Sequence, residues 1–270
     1  MFDAHTHAVS PDAGRFPRHR PDFPAAWLEH DPPSAGVLEA ELVRAEVTGA
    51  LLVQPQGAYG FDNRYVVEAA AGSPRLAAVT SIDVTEPDRA AQVHLMADAG
   101  AVGVRLFSIP TPAVAWLDDP TTFDAWAACR DRGLVVSICC LPAEVPQVLR
   151  VATHFVDVAV VLDHCAFVDL AAGSGPLDEL ADLDNLHLKV TGHMLHELAD
   201  RGLEPDRVVA DLAGLVGADR MLWGSDWPQT GLTYPASAAL GRQAAARLDA
   251  GAAASFLGDT ATGLYRQSMV

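Results

Sequence analysis

The sequence predicts an α/β protein of the (β/α)8 TIM-barrel class, with one domain over residues 1–270. The sequence contains eight short apolar runs separated by helix-like stretches. The starts of the second to the eighth run lie roughly 30 residues apart, as in the βα units of a parallel sheet. A doubly wound open sheet is the alternative for the same alternation. The predicted strands are Phe2–His7, Ala50–Gln54, Leu76–Ile82, Val102–Leu106, Leu134–Cys139, Val158–Asp163, Leu186–Val190 and Met221–Trp223.

Apolar runs distinguish the strands, and proline and glycine residues mark the ends of the helices. The run Val158–Leu162 is continuously apolar, which is typical of a strand buried on both faces. Pro87 and Pro205 stand where a first-turn proline is tolerated, and Gly100 and Gly133 follow helices as candidate C-caps. The predicted helices are Ser34–Val47, Asp62–Ala71, Pro87–Ala99, Thr121–Arg132, Glu144–Val151, Pro205–Val216 and Ala236–Leu248.

The first connection breaks this rhythm, because a long proline-rich segment, residues 8–33, separates the first strand from the first helix. Connections of this length are uncommon in a compact domain unless they are functional or disordered. In a barrel, the loop after strand one would lie over the active-site face. It is either a lid that brings cationic side chains to a substrate or a stiffened surface loop whose cations pair with surface acids. These cationic side chains are Arg15, Arg18, His19 and Arg20.

The charge balance restricts the partners. The sequence has 18 Lys+Arg against 35 Asp+Glu, a formal net charge of −17 at pH 7, and such a surface repels phosphate backbones. We therefore expect a small-molecule substrate and no nucleic acid. No apolar run reaches the roughly 20 residues that cross a bilayer, and the first residues lack a signal peptide's basic and apolar regions. We expect a cytoplasmic protein without a membrane partner, and a homodimer stays open.

Polar side chains fall at the carboxyl ends of predicted strands one, six and eight: His5, His7, His164 and Asp226. On a regular strand Asp3, His5 and His7 point to the same face. The carboxyl ends of barrel strands converge on one pocket, where active sites lie. Imidazoles there can bind a metal or a carbonyl, and a carboxylate can accept a proton from water. Singly, each could be a buried hydrogen-bonded histidine or a loop aspartate, and their convergence is what favours a site.

A series of motifs runs through the chain in a fixed order. They are Asp3–His7, Gln54-Pro55, Tyr59–Asn63, Gly103–Leu106, Leu162–His164, Lys189–Gly192 and Gly224–Pro228. In order and spacing they resemble the amidohydrolase superfamily, in the branch of TIM-barrel hydrolases that contains 2-pyrone-4,6-dicarboxylate lactonase and the sugar-acid lactonases. The resemblance covers nearly the whole chain. The Asp-Asn after strand two, the Lys-x-x-Gly of strand seven and the Ser-Asp-Trp-Pro ending indicate the lactonase branch.

The resemblance implies catalytic roles for four residues. Asp226 would be the general base that activates the hydrolytic water. His5, His7 and His164 would polarise the lactone carbonyl, either directly or through one metal ion. We therefore expect a hydrolase that opens a small, carboxylated lactone by the attack of water.

The resemblance also implies substrate contacts. Arg105 would hold a substrate carboxylate or the developing oxyanion through a two-pronged contact, with a structural ion pair as the alternative. Lys189 would neutralise a second anionic group or pair with an acid in the barrel. The remaining expected substrate contacts are Tyr59, Asn63 and, from the long loop, Arg18.

The implied metal centre is a single site. One zinc or other divalent ion would bind His5, His7 and Asp226, completed by His164 or water, and metal-free catalysis is the alternative that the branch also allows. A two-metal centre is not expected, because strand four offers neither a lysine nor an acidic bridging ligand. Strand five ends in Cys139-Cys140 rather than the histidine of many metal-dependent relatives. These cysteines could be thiolate ligands, but free cysteines are more often buried thiols.

Two departures bear on the substrate and the reaction. The pyrone dicarboxylate enzymes use a further arginine just after the one that Arg105 matches, and residues 107–112 contain none. This argues against the pyrone diacid itself. Two other functions stay open on the same barrel: a metal-dependent decarboxylase of an aromatic or muconate-like acid, and a non-catalytic barrel that binds a small ligand.

Overall fold

Eight parallel strands form one sheet in the order β1 to β8, and β1 also meets the end of β8. The structure is a computed structural model that describes residues 1–18, 26–29, 31–109 and 116–266. A bridge joins Thr6 to Trp227, the amide of Asp226 donates to the carbonyl of His5 at 2.8 Å, and that of His7 donates to Trp227 at 2.9 Å. The barrel is therefore closed at the carboxyl ends of its strands, next to the predicted site residues.

The strands agree with the predicted ones to within one or two residues at each end. They are β1 Asp3–Thr6, β2 Ala50–Val53, β3 Leu76–Ser81, β4 Gly103–Phe107, β5 Val135–Cys139, β6 Val160–Leu162, β7 Leu186–Thr191 and β8 Met221–Gly224. The sheet is wholly parallel. The predicted barrel class is confirmed, and the alternative, a doubly wound open sheet, is wrong.

Most helices also lie where the sequence predicts them. The described helices are α1 Ala35–Arg44, α2 Gln56–Tyr59, α3 Arg64–Ala71, α4 Arg89–Asp98, α5 Phe123–Asp131, α6 Val145–His154, α7 Gly192–Asp200, α8 Pro205–Val216, α9 Tyr234–Ala244, α10 Ala250–Ala254 and α11 Thr260–Arg266. The sequence prediction missed α2, α7, α10 and α11. Within the described parts of the chain, no helix combines the length and the apolar character needed to span a membrane.

The barrel contributes two layers to the core of the described residues. The larger layer packs the outer faces of the strands against the helices, while the smaller one fills the barrel interior with side chains such as Leu51, Val79 and Val161. Tyr265 of α11 belongs to the interior layer, and its hydroxyl lies 3.3 Å from that of Ser137. The C-terminal helix therefore plugs the amino end of the barrel and leaves the carboxyl end for a pocket.

Strand β1 is irregular, and this corrects the expectation that Asp3, His5 and His7 share one face. The register pairs Asp3 with Ala50 but Thr6 with Leu52, so β1 contains one more residue than β2 between these two pairs. An extra residue in one strand turns the following side chains. The Asp3 carboxylate accepts from the Tyr234 hydroxyl of α9 at 2.9 Å, whereas the two imidazoles lie inside the barrel.

Candidate active site

A cavity of about 200 Å³ opens at the carboxyl ends of the strands. Four predicted site residues line it: His7, Arg105, His164 and Asp226. His5 is fully buried beneath them, and its ring stands edge-on to those of His7 and His164, with centroids 4.9 Å from each. The structure therefore brings the predicted catalytic group together, with His5 one layer below the cavity.

Asp226 is held at the end of β8 in a left-handed backbone conformation, with φ of 56°. Its Oδ1 accepts from the side-chain amide of Gln229 at 3.1 Å and lies 3.5 Å from His7 Nε2 and 3.7 Å from His5 Nε2. Burial alone would raise the pKa of Asp226, but the neighbouring His164 and His7 lower it below its usual range. The carboxylate is therefore ionised at neutral pH and able to accept a proton.

Backbone and side-chain contacts fix the ring orientations of His5 and His7. His7 Nδ1 lies 2.8 Å from the Val53 carbonyl, which can only accept, so Nδ1 carries a proton. His5 Nδ1 lies 3.4 Å from Lys189 Nζ and accepts from that ammonium group. Burial, followed by the positive charges of Lys189 and Arg105, holds the pKa of His5 well below its usual value. His5 is therefore neutral, with its proton on Nε2, 3.2 Å from His7 Nε2.

His164 stands on a turn of unusual conformation. His164, Cys165, Ala166 and Phe167 all have φ between 46° and 55°, a left-handed run that costs roughly 1–2 kcal/mol per residue outside glycine. The turn stacks the Phe167 ring on His164 with centroids 4.7 Å apart, and His164 Nδ1 lies 2.9 Å from the Thr191 hydroxyl. Burial lowers the pKa of His164 to about 4, so it enters the cavity as a neutral imidazole.

A buried charge network lies beside His5. Asp163 Oδ1 is 2.7 Å from Lys189 Nζ, and its Oδ2 accepts from Arg105 Nε at 2.8 Å. Burial alone would raise the pKa of Asp163, but Lys189 and Arg105 outweigh it and lower the pKa to about 2. Lys189 is fully buried and is the only lysine in the sequence. It therefore pairs with a barrel acid, one of its two expected roles, and does not line the cavity.

The donor atoms of His5, His7 and Asp226 match the spacing of a metal site. Their three separations of 3.2, 3.5 and 3.7 Å are close to the edge of about 3.3 Å that zinc bonds of about 2.0–2.1 Å give in a tetrahedron. The position of Lys189 opposes binding, because His5 would have to move its proton to Nδ1, beside an ammonium group. The three donor atoms therefore fit one divalent ion, while the contact between Lys189 and His5 lowers the affinity for it.

Cys139 lines the cavity, but burial raises the pKa of its thiol to about 12. Burial also raises the pKa of Cys140. Neither thiol is within the clusters of metal-ligating groups among the described residues. Both therefore stay protonated at neutral pH, as plain core thiols do, and the thiolate-ligand alternative finds no support.

Three predicted substrate contacts lie away from the cavity lining. The Tyr59 hydroxyl accepts from the Ser10 amide at 2.8 Å. The Asn63 amide bridges to the backbone of Ser81, donating at 2.8 Å and accepting at 2.7 Å, and exposed Arg18 donates to the Leu28 carbonyl at 2.7 Å. These contacts hold the long loop and the segment after β2 in place, and substrate binding by the three side chains stays a prediction.

The cavity also contains residues that the sequence interpretation missed. The long loop contributes Trp27, whose ring stacks 6.1 Å from that of His7, rather than a described cation. Arg15 pairs with Glu68 instead, and His19 and Arg20 lie outside the described residues. His193, at the start of α7, also lines the cavity. Its place directly after strand seven was the available signal, because residues that follow barrel strands reach this face.

Comparison with known proteins identifies the family. A family model described as amidohydrolase matches residues 2–267. This chain belongs to the amidohydrolase family. The predicted resemblance is thereby confirmed over nearly the whole sequence.

Two curated relatives of this amidohydrolase act on lactones by name. The L-fucono-1,5-lactonase of Burkholderia ambifaria is 29% identical over 203 residues, which cover 71% of this chain and 68% of that protein. The 4-sulfomuconolactone hydrolase of Rhizobium radiobacter is 26% identical over 247 residues, 87% of this chain and 77% of that protein. An amidohydrolase from Burkholderia multivorans, solved with bound zinc, has the same fold, with a TM-score of 0.79, 22% identity and 98% coverage of both chains.

Proposed function

We propose that this amidohydrolase opens a small, carboxylated lactone by hydrolysis, with Asp226 as the general base. The observation that carries the proposal is an ionised carboxylate surrounded by imidazoles at the wall of a cavity. The lactone-hydrolysing names of two relatives support the substrate class. The cavity suits a small ligand.

Asp226 would take a proton from a water molecule as that water attacks the lactone carbonyl. A general base must be ionised and lie within hydrogen-bond reach of its proton. The lowered pKa of Asp226, caused by His164 and His7 against the effect of burial, meets the first condition at neutral pH. The amide of Gln229 orients one carboxylate oxygen, which leaves the other for the water.

The attacked carbonyl oxygen would gain negative charge and need donors. His164 lines the cavity near the base with its Nδ1 against the Thr191 hydroxyl, which leaves Nε2 as its donor, and Arg105 adds a permanent positive charge at the same wall. The Nδ1 proton of His7 is on the Val53 carbonyl, so His7 would polarise the carbonyl only through a bound metal ion. Asp163 takes the Arg105 Nε–H at 2.8 Å, and a guanidinium carries five N–H groups. We assign the other N–H groups of Arg105 to a substrate carboxylate or to the oxyanion. Preorganised donors of this kind are worth roughly 10²–10³ in rate each.

A divalent ion, zinc above all, is a second part of the proposal. Bound by His5, His7 and Asp226, it would polarise a carbonyl and acidify a water molecule. The donor spacing supports such a site, and the Lys189 contact argues for weak occupancy. We further propose a cytoplasmic location, which suits four free, buried cysteines among the described residues. A small molecule is the proposed partner, with no nucleic acid or membrane.

Replacing Asp226 by Asn tests the function. The amide keeps the shape and cannot accept the proton, so hydrolysis of aldono-lactones and muconolactones should fall about 10²–10⁴-fold with an unchanged melting temperature. Activity is followed as acid release, and carbon dioxide release is measured in parallel, because a decarboxylase would give the latter. Near-normal rates in Asp226→Asn would refute the assigned base. Failure of the wild type on every lactone would refute the function.

A further inference from the structure

Opening a lactone needs a proton donor as well as a base. The attack of water forms a carbon–oxygen bond at the carbonyl, and the ring carbon–oxygen bond then breaks with its electron pair on the ring oxygen. An aliphatic ring oxygen leaves as a strongly basic alkoxide unless a proton reaches it. Because Asp226 is assigned to the attacking water, the proton donor must come from another part of the cavity wall.

Few groups in the described lining can donate that proton. His164 is buried with its ring stacked on that of Phe167, and its Nδ1 contacts the Thr191 hydroxyl, so it has no contact with solvent from which to regain a proton. The Cys139 thiol is a poor acid, because burial raises its pKa to about 12. His7 has its Nδ1 on the Val53 carbonyl and its Nε2 beside His5 and Asp226. His193 is the remaining imidazole of this lining.

His193 differs from the other histidines of the cavity in its environment. His5, His7 and His164 are buried, whereas His193 is exposed. It lies at the start of α7, directly after β7, and lines the same cavity as Asp226. It also lines a second cavity of about 290 Å³ that shares Phe167 and His193 with the first. His193 can therefore face the substrate on one side and exchange protons with solvent on the other.

We infer that His193 is the general acid that protonates the departing ring oxygen. The inference rests on the proposed lactone hydrolysis and assigns it a second proton-transfer residue. The proton passes from His193 to the ring oxygen as the carbon–oxygen bond breaks, and His193 regains a proton from solvent. Asp226 releases the proton of the water to solvent with the product, so one water is consumed per ring opened.

The test compares two classes of lactone in His193→Gln. The ring oxygen of an aliphatic δ-lactone leaves as an alkoxide and needs the acid. In an enol lactone the ring oxygen is bonded to a carbon of a C=C double bond, so it leaves as a stabilised enolate. We expect kcat/KM to fall about 10²-fold or more for the aliphatic lactone, the usual range for a general acid, and less than about 5-fold for the enol lactone. In His193→Ala, added imidazole should restore part of the aliphatic-lactone rate.

His196 provides the matched control. It lies on α7 one turn further on, is partly exposed, has Nε2 3.6 Å from Asp200, and lines neither cavity. His196→Gln should leave both rates unchanged. Equal losses on both lactones in His193→Gln, or no loss on either, would overturn the inference while Asp226→Asn still supports the hydrolysis. A wild type that opens neither lactone would overturn the proposed function and the inference with it.

Discussion

Replacing Lys189 by Met isolates the energetic role of the buried charge network. Methionine has a similar length and no charge, so the change removes the ammonium group that lies 2.7 Å from Asp163 Oδ1 and keeps most of the packing. Removing one member of a buried ion pair typically costs about 3–5 kcal/mol. Arg105 still holds Asp163 Oδ2 at 2.8 Å, so we expect the lower end, about 3 kcal/mol.

The ionisation of Asp163 gives a second route to the same magnitude. Its pKa of about 2 lies below the usual 3.8, because Lys189 and Arg105 outweigh the effect of burial. At about 1.4 kcal/mol per pKa unit, this shift corresponds to roughly 2–3 kcal/mol. The folded state binds this proton less tightly than the unfolded state does. The stabilisation is therefore complete above about pH 4 and is lost as the pH falls towards 2.

Urea unfolding of wild type and Lys189→Met, at pH 7 and at stepwise lower pH, measures both quantities. The unfolding free energy of Lys189→Met should be about 3 kcal/mol lower than that of the wild type at pH 7, and this difference should become smaller below pH 4. Arg64→Met is the control, because Arg64 pairs with Asp62 at the exposed surface and such pairs contribute little. A gap below about 1 kcal/mol at pH 7, or one that does not change with pH, would refute the reasoning.

Two further predictions concern the elements around the site. Gly192→Ala would place a Cβ 2.3 Å from the Ser225 carbonyl oxygen, so we expect about 3 kcal/mol of lost stability and a large loss of activity as Asp226 moves. Gly214 of α8 has open space around it, so Gly214→Ala should be neutral or stabilising by up to about 1 kcal/mol. Equal effects of the two changes would contradict the close approach of Gly192 to the Ser225 carbonyl. In zinc titration calorimetry, Lys189→Met should bind at least about 10-fold more tightly than wild type, and an unchanged affinity would exclude the proposed opposition at His5.

The barrel could be predicted from the sequence because its strands are buried on both faces and its helices have clear ends. Pro205–Val216 coincides with α8, since a first-turn proline and a following glycine mark it. The start of α7 was missed, because Thr191 provides no side-chain cap and Gly192 does not suggest a helix. Helix ends without capping side chains leave little trace in a single sequence.

The site was predictable in its buried members and not in its rim. His7, His164 and Asp226 follow strands, and strand ends must converge in a barrel. The irregularity of β1 could not be foreseen, because an extra residue leaves the alternation of residue types unchanged. Trp27 reaches the cavity from a loop whose path depends on packing against distant aromatic residues. Such a path is set by tertiary contacts, not by a local pattern.

The position of Lys189 has a consequence for handling the protein. As the only lysine in these 270 residues, with its amine fully buried, it is shielded from reagents that modify surface amines. Apart from the terminal amine, dyes and crosslinkers of this type should couple only to molecules whose barrel has opened. The fraction of Lys189 that reacts therefore measures how many molecules have opened their barrel, and no label has to be engineered into the chain for this measurement.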